Sequence, residues 1–283
     1  MKKSYRISQE YSGMAVRDYA RSVLGYSART FKDAKYRGSI TVDGQAVYAN
    51  YVLVGGQTLC IETPENPCSR VTAQPIPLDI LYEDEDFLFV NKPSGMPAHP
   101  SFNHRDKTLA NAVAYYYRRE PFTFRLLTRL DADTTGVAAI ARNAFAAGTF
   151  LSCRPQKEYL AVCVGTPDPP AGVIDAPIAH ASDSIIRQEI RPDGRPSVTE
   201  YRLLRQKDGL SLVQALPRTG RTHQIRLHLA SIGCPLYGDF LYGTEVKGER
   251  TRLHCETLSF IHPASGKPLR ITAPLPQDFQ SLI

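Results

Sequence analysis

Apolar positions along this chain recur at strand spacing more often than at helix spacing. Short apolar or alternating runs follow one another: ILYE, FLFVNKP, KEYLAVCVG, SVTEYRLLRQ, LSLVQALP, RLHCETLSFIHP and LRITAPLP. Each is bounded by glycine, proline or polar turn residues, as strands are. Lys207, Asp208 and Gly209 join two of them as a hairpin, and residues 137–141 and 159–164 are core-strand sized. Helical periodicity is rarer. Thr108 opens one helix that reaches Tyr117, and Asn143 caps another. A third, over residues 222–232, carries Ile225, Leu229 and Ile232 on one stripe, stops at Gly233 and is followed by Pro235. Many strands without β-α-β alternation predict an α+β fold and not a doubly wound sheet. The chain shows neither internal repeats nor low-complexity segments.

The first 62 residues have their own logic. Met14, Tyr19, Ala20, Val23 and Leu24 fit a short amphipathic helix ending at Gly25, and Ser27 caps a second helix that stops before Gly38. SITVDGQAV then reads as a hairpin around Asp43 and Gly44, and QTLCIE returns as a strand after Gly55 and Gly56. Residues 63–77, TPENPCSRVTAQPIP, hold four prolines and little periodicity, which marks a linker. The expected organisation is a small module over 1–62, a linker over 63–77 and a larger domain over 78–283.

Composition narrows the function classes. A chain of 283 residues with 42% hydrophobic and 22% charged residues can bury a core and is not a disordered chain. Its +6 net charge is concentrated at the start, where residues 1–62 carry nine Lys or Arg against five Asp or Glu. That suits a polyanionic partner without establishing one. The second N-terminal helix holds Arg29, Lys32, Lys35 and Arg37, which fits either a nucleic-acid contact or a solvated face. No apolar run approaches a membrane span, and MKKSYRISQEYSG lacks the apolar stretch of a signal peptide, so a cytoplasmic location is expected. Six scattered cysteines without C-x-x-C spacing read as reduced thiols.

Familiar catalytic signatures are missing: the sequence has no Walker loop, G-x-G-x-x-G or G-x-S-x-G. His223 and His228 lie five apart, about 140° of helix rotation, which would point them away from each other. His254-Cys255-Glu256 has the H-x-E of a zinc deaminase without its C-x-x-C partner, so no metal is expected. Two segments are unusually polar for their surroundings. Residues 128–136, TRLDADTTG, lead directly into an apolar strand, which suits a turn delivering side chains into a cleft or an ordinary Asx turn. Residues 219–226, TGRTHQIR, fall where a helix would begin, as an anion site or a plain cap with surface arginines.

In order, these segments resemble the RluA family of pseudouridine synthases. RLDADTTGV resembles the family's R-L-D-x-D-T-S-G-L signature. Asn91-Lys92-Pro93-Ser94-Gly95 with His99-Pro100 is similar to its N-K-P-x-G…H-P pattern. KEYLAVCVG, TGRTHQIRLHLASIGCPLYGDFLYG and LHCETLSFIHPASGKPLRITAPLP continue the likeness over most of residues 78–283. The N-terminal order of helix, basic helix, glycine and V-D-G hairpin resembles the small RNA-binding domain named after ribosomal protein S-four. The resemblance implies a mixed, mainly antiparallel sheet with flanking helices around an RNA-binding cleft.

It also implies a reaction: a uridine in RNA is isomerised by breaking its bond from ribose to nitrogen and remaking it to carbon 5, without redox change or cofactor. Asp131 matches the catalytic aspartate, a residue able to attack a developing electrophile and later leave. Asp133 is structural by the same analogy. Tyr159 matches the active-site tyrosine that stacks on the base and is implicated in proton removal, and Arg226 the arginine that pairs with the catalytic carboxylate. Arg129, Arg221, Gln224 and Thr135 match substrate-binding positions, and Arg29, Lys32 and Lys35 would lie against RNA phosphates. Thr128, Ala132 and Thr135 depart from the family's His, long side chain and Ser. The implied substrate is RNA, large-subunit ribosomal RNA first and transfer RNA as the alternative, handled by a monomer with the uridine flipped out of its stack. The competing class is a non-catalytic RNA-binding protein on the same scaffold.

Overall fold

The computed structural model describes residues 2–63, 71–101, 104–120 and 122–281. Cys68 and residues 64–70 of the expected linker lie outside the described residues. Residues 71–77 run along the larger unit, where the Asn111 amide donates to the Thr72 carbonyl at 2.7 Å and Gln74 N–H bonds the Asn111 carbonyl.

The N-terminal unit is a four-stranded antiparallel sheet with short helices. Strand β1 (Lys2–Arg6) precedes helix α1 (Val16–Asp18), which runs into a π turn over Tyr19–Val23. Helix α2 (Ala28–Arg37) follows, then β2 (Ser39–Val42), β3 (Gln45–Ala46) and β4 (Thr58–Glu62), in the order β1-β4-β2-β3. Ser27 caps α2 by accepting Thr30 N–H at 3.0 Å. Asp43 and Gly44, both at positive φ, make the expected tight hairpin. The sequence pattern did not predict β1. Its polar KKSYR has no apolar alternation to read, and the strand exists because its backbone pairs with β4.

The larger unit is built on one nine-stranded sheet. It begins with β5 (Ile80–Glu83) and β6 (Phe87–Lys92), and continues with β7 (Thr135–Ala141). Next come β8 (Gln156–Val164) and β9 (Ala171–Asp175), then the separate hairpin β10 (Ile178–His180) and β11 (Gln188–Ile190). The long pair β12 (Val198–Lys207) and β13 (Leu210–Pro217), then β14 (Leu253–Ile261) and β15 (Pro268–Thr272), complete it. The order is β5-β6-β7-β14-β8-β13-β12-β9, with β15 on β14, so that β14 and β8 lie at the centre; among the described residues only the β7–β14 strand pairing is parallel. Every residue of β7 is buried, and FLFV of β6 likewise, because both strands are covered on two faces. The mixed, mainly antiparallel α+β expectation is met. The β9 to β11 segments were not predicted; they are short and largely exposed.

Helices α3 (Leu109–Tyr116), α4 (Ala144–Thr149), α5 (Gln224–Ser231) and α6 (Gln277–Gln280) flank the sheet. Thr108 and Asn143 cap α3 and α4 as expected. Helix α5 starts two residues later than its pattern suggests, because His223 takes the left-handed conformation (φ 54°) and ends a turn instead of opening the helix. The two units share a packed seam. Phe145 of α4 sits in the N-terminal apolar cluster, 5.0 Å from the Tyr26 ring, and Lys3 reaches Asp86 at 2.6 Å.

Candidate active site

The loop between Thr128 and β7 carries the candidate carboxylate, and its backbone is held on both sides of that residue. Thr128 is buried and its hydroxyl accepts Ala139 N–H at 2.8 Å, tying the base of the loop to β7. Three successive carbonyls are then satisfied in turn. The Asp131 carbonyl accepts Thr134 N–H at 3.2 Å, the Ala132 carbonyl accepts Lys92 Nζ at 2.8 Å, and the Asp133 carbonyl accepts Arg250 Nη1 at 3.1 Å. Lys92 also donates to the Pro93 and Met96 carbonyls at 2.8 Å each. Burial pushes its ammonium down to about 7, yet three carbonyl acceptors match three N–H donors, so the charged form fits this cage. Gly136 closes the loop at φ 104°, where a Cβ would collide with the Cys255 carbonyl.

With its backbone fixed this way, the loop presents Asp131 outward. The side chain is 32% exposed and its Oδ2 lies 3.3 Å from Arg226 Nη1. Arg226, on the first turn of α5, is nearly buried and is gripped from behind by Asp239, with Nε to Oδ2 at 2.8 Å and Nη2 to Oδ1 at 2.7 Å. Burial opposes the guanidinium charge, but Asp239 and Asp131 outweigh it and hold its pKa above the usual value. Asp239 is fully buried; its pKa is held below the ordinary range because Arg226 and the N–H groups of Leu241 and Tyr242 outweigh desolvation. His223 faces Asp131 at 3.9 Å, and its Nδ1 meets the Tyr242 hydroxyl at 3.0 Å. That hydroxyl accepts Gln188 N–H from the β10–β11 hairpin at 2.8 Å. Burial lowers the His223 pKa, so the neutral ring predominates near pH 7.

Tyr159 stands on β8 beside β14, only 7% exposed and within the main core. Its phenol pKa is driven well above normal by burial first, then by the Cys255 thiol it bonds and by the charge of Asp131. The thiol itself is pushed up to about 12 by burial.

The two polar sequence segments meet: Arg129 Nη2 donates to the Thr222 hydroxyl at 3.2 Å across 93 positions. Arg129 is exposed, and Arg221 is partly exposed with its guanidinium on the Pro196 carbonyl at 3.2 Å. Gln224 and Thr135 were expected to meet substrate, but the structure turns their polar atoms inward. Gln224 Oε1 accepts from Arg221 N–H and the Thr219 hydroxyl, and Nε2 donates to Val198 and Thr199, which shapes the turn before α5. The Thr135 hydroxyl pairs with His254 Nδ1 at 2.9 Å. His223 and His228 do face apart, His228 bonding Thr199 and the Ala176 carbonyl. On α2, Arg29, Lys32 and Lys35 are all exposed. Sequence reasoning gave no role to Asp239, Tyr242 or Lys92, although all three lie in the segments that carry the family resemblance.

A family model for RNA pseudouridylate synthases matches residues 86–231. YjbO of Bacillus subtilis (strain 168), an uncharacterized RNA pseudouridine synthase, is 40% identical over 279 residues, covering 95% of this chain and 98% of the relative. Ribosomal large subunit pseudouridine synthase D of Xanthomonas campestris pv. campestris is 36% identical over 270 residues, covering 87% of this chain and 80% of the relative. The solved structure of human RNA pseudouridylate synthase domain containing 1 superposes with a TM-score of 0.61 at 29% identity, over 72% of this chain and 86% of that one. The fold is that of an RNA-modifying isomerase. The chain belongs to the RluA family of RNA pseudouridine synthases.

Proposed function

We propose that this enzyme converts uridines of large-subunit ribosomal RNA to pseudouridine, with Asp131 as the catalytic carboxylate. The observation that carries this reading is the Asp131–Arg226 contact of 3.3 Å on a loop whose carbonyls at 131, 132 and 133 are each held by a hydrogen bond. The relative named as a large-subunit synthase supports the choice of RNA. In the reaction the bond between ribose C1′ and base N1 breaks and one between C1′ and C5 forms. The C5 proton is lost and N1 regains one, so atoms and electrons balance without a cofactor. The Asp131 carboxylate is the nucleophile, and Arg226 keeps it ionised and aimed. Burial holds the Tyr159 phenol well above its usual pKa, and its ring is assigned to stack on the target base. The uridine is turned out of its stack to reach the site, a cost of about a few kcal/mol that favours unpaired targets. Arg129 and Arg221 meet the strand beside it.

The test is tritium release to water from large-subunit ribosomal RNA labelled at uridine C5. Release by the wild type supports the proposal; release only from labelled transfer RNA would reassign the substrate, and binding without release from either would make the protein a non-catalytic RNA binder.

We assign residues 1–62 as the RNA-holding module, 63–77 as its linker and 78–283 as the catalytic domain, acting as a cytoplasmic monomer. The exposed cations of α2 support the first assignment. Replacing Arg29, Lys32 and Lys35 together with Glu is expected to weaken RNA binding. Its salt dependence should also flatten, by about 0.7 in log–log slope for each phosphate that is no longer neutralised. A filter-binding titration at several salt concentrations measures both. An unchanged slope would make that helix a solvated face.

A further inference from the structure

Phe240 is about half exposed (54%), although it sits between the two best-anchored side chains of the site. On one side, Asp239 holds Arg226 through two bonds and accepts the N–H groups of Leu241 at 3.0 Å and Tyr242 at 3.3 Å. On the other, the Tyr242 hydroxyl is tied to His223 and to Gln188. The backbone carrying Phe240 is therefore anchored on both sides, which places its ring at the rim of the site. The ring centroid lies 5.9 Å from the Arg226 guanidinium carbon, and a nitrogen of that same guanidinium is 3.3 Å from Asp131. One guanidinium separates the exposed ring from the carboxylate.

A large aromatic ring left half in water forgoes the gain of burial. A strand whose target uridine is turned toward Asp131 brings its next base to this rim. Unpaired bases bind proteins by laying their flat faces on aromatic rings. We propose that Phe240 is a stacking platform for the unpaired nucleobase next to the target uridine on the same RNA strand. The inference rests on the isomerase reading above. Because every base has a flat face, this contact adds hold on the strand without choosing which base stands there.

The measurement uses the full-length chain and a single-stranded RNA oligonucleotide with one central uridine flanked by 2-aminopurine, whose fluorescence falls on stacking. Phe240→Ala is expected to abolish the quench and raise Kd about 10-fold. Phe240→Trp and Phe240→Tyr restore both, whereas Phe240→Leu, apolar but without a ring face, behaves like the alanine variant. Wild-type behaviour of the alanine variant, restoration by leucine, or an absent quench in the wild type would each overturn the stacking role. Tritium release by the wild type is scored separately: a quench without release overturns the isomerase reading and leaves the platform standing.

Discussion

Asp131→Ala is expected to reduce tritium release by at least about 10⁴-fold while the protein stays folded and still binds RNA. The size follows from the role. On the proposed role the carboxylate itself forms the bond to the substrate, and the two side chains facing it, Arg226 and His223, have no anionic oxygen to offer in its place. The survival of the fold follows from the loop. Its three carbonyls are held by Thr134 N–H, Lys92 and Arg250, none of which touches the Asp131 carboxylate. Arg226 is not orphaned either, since Asp239 keeps both of its hydrogen bonds to the guanidinium. The carboxylate is also partly exposed, so its removal leaves no large cavity. Three readings on one preparation check this: label release, thermal melting and RNA affinity. Near-wild-type release would remove Asp131 from the chemistry, whereas a collapsed melting temperature would show that the loop depends on it.

Local polarity marked out the loop and the start of α5 as unusual, and the family resemblance then picked Asp131 and Arg226 within them. Residues 128–136 and 219–226 interrupt an otherwise apolar, strand-rich region with polar residues that a core has no use for, and the structure brings the two together through Arg129 and Thr222 and through Asp131 and Arg226. What stayed hidden depends on partners far away in sequence. Asp239 sits in YGDFLYG, which reads as a polar turn; only the tertiary fold shows it buried against Arg226. Lys92 looks like a strand-end lysine until its cage of carbonyls is seen. Gln224 and Thr135 show a second kind of hidden information. The family resemblance matched them to substrate-binding positions, and the tertiary fold adds that their polar atoms satisfy internal groups that would otherwise be buried without partners. The same limit applies to β1, whose polar residues gave no alternation and whose existence rests on pairing with β4 across the N-terminal unit.

Asp239 is the hidden residue with the largest expected effect. Asp239→Asn keeps the volume, and the amide oxygen can still accept from Leu241 and Tyr242, but the amide nitrogen then faces the N–H donors of Arg226. One of the two bonds is lost, and a nearly buried guanidinium is left with Asp131 as its only carboxylate partner. Breaking a buried pair from one side costs about 3–5 kcal/mol. The half-held guanidinium also loses the orientation that puts Nη1 against Asp131. Because Asp239 is fully buried behind Arg226, kcat is expected to fall about 10²-fold at temperatures where the variant is still folded, with KM changing much less. A purely structural residue would lower the melting temperature without that split. Coupling supplies a second discriminator: if Asp239 acts through Arg226, the double variant Asp239→Asn/Arg226→Lys should be no slower than Arg226→Lys alone. The pH dependence has a definite sign. The folded-state pKa of Asp239 lies below its ordinary value, so the pair contributes stability above the usual carboxylate range and loses it as pH falls through the lowered value. The asparagine variant should therefore show a flatter melting temperature on the acid side than the wild type. Parallel acid limbs, or additive losses in the double variant, would detach Asp239 from Arg226.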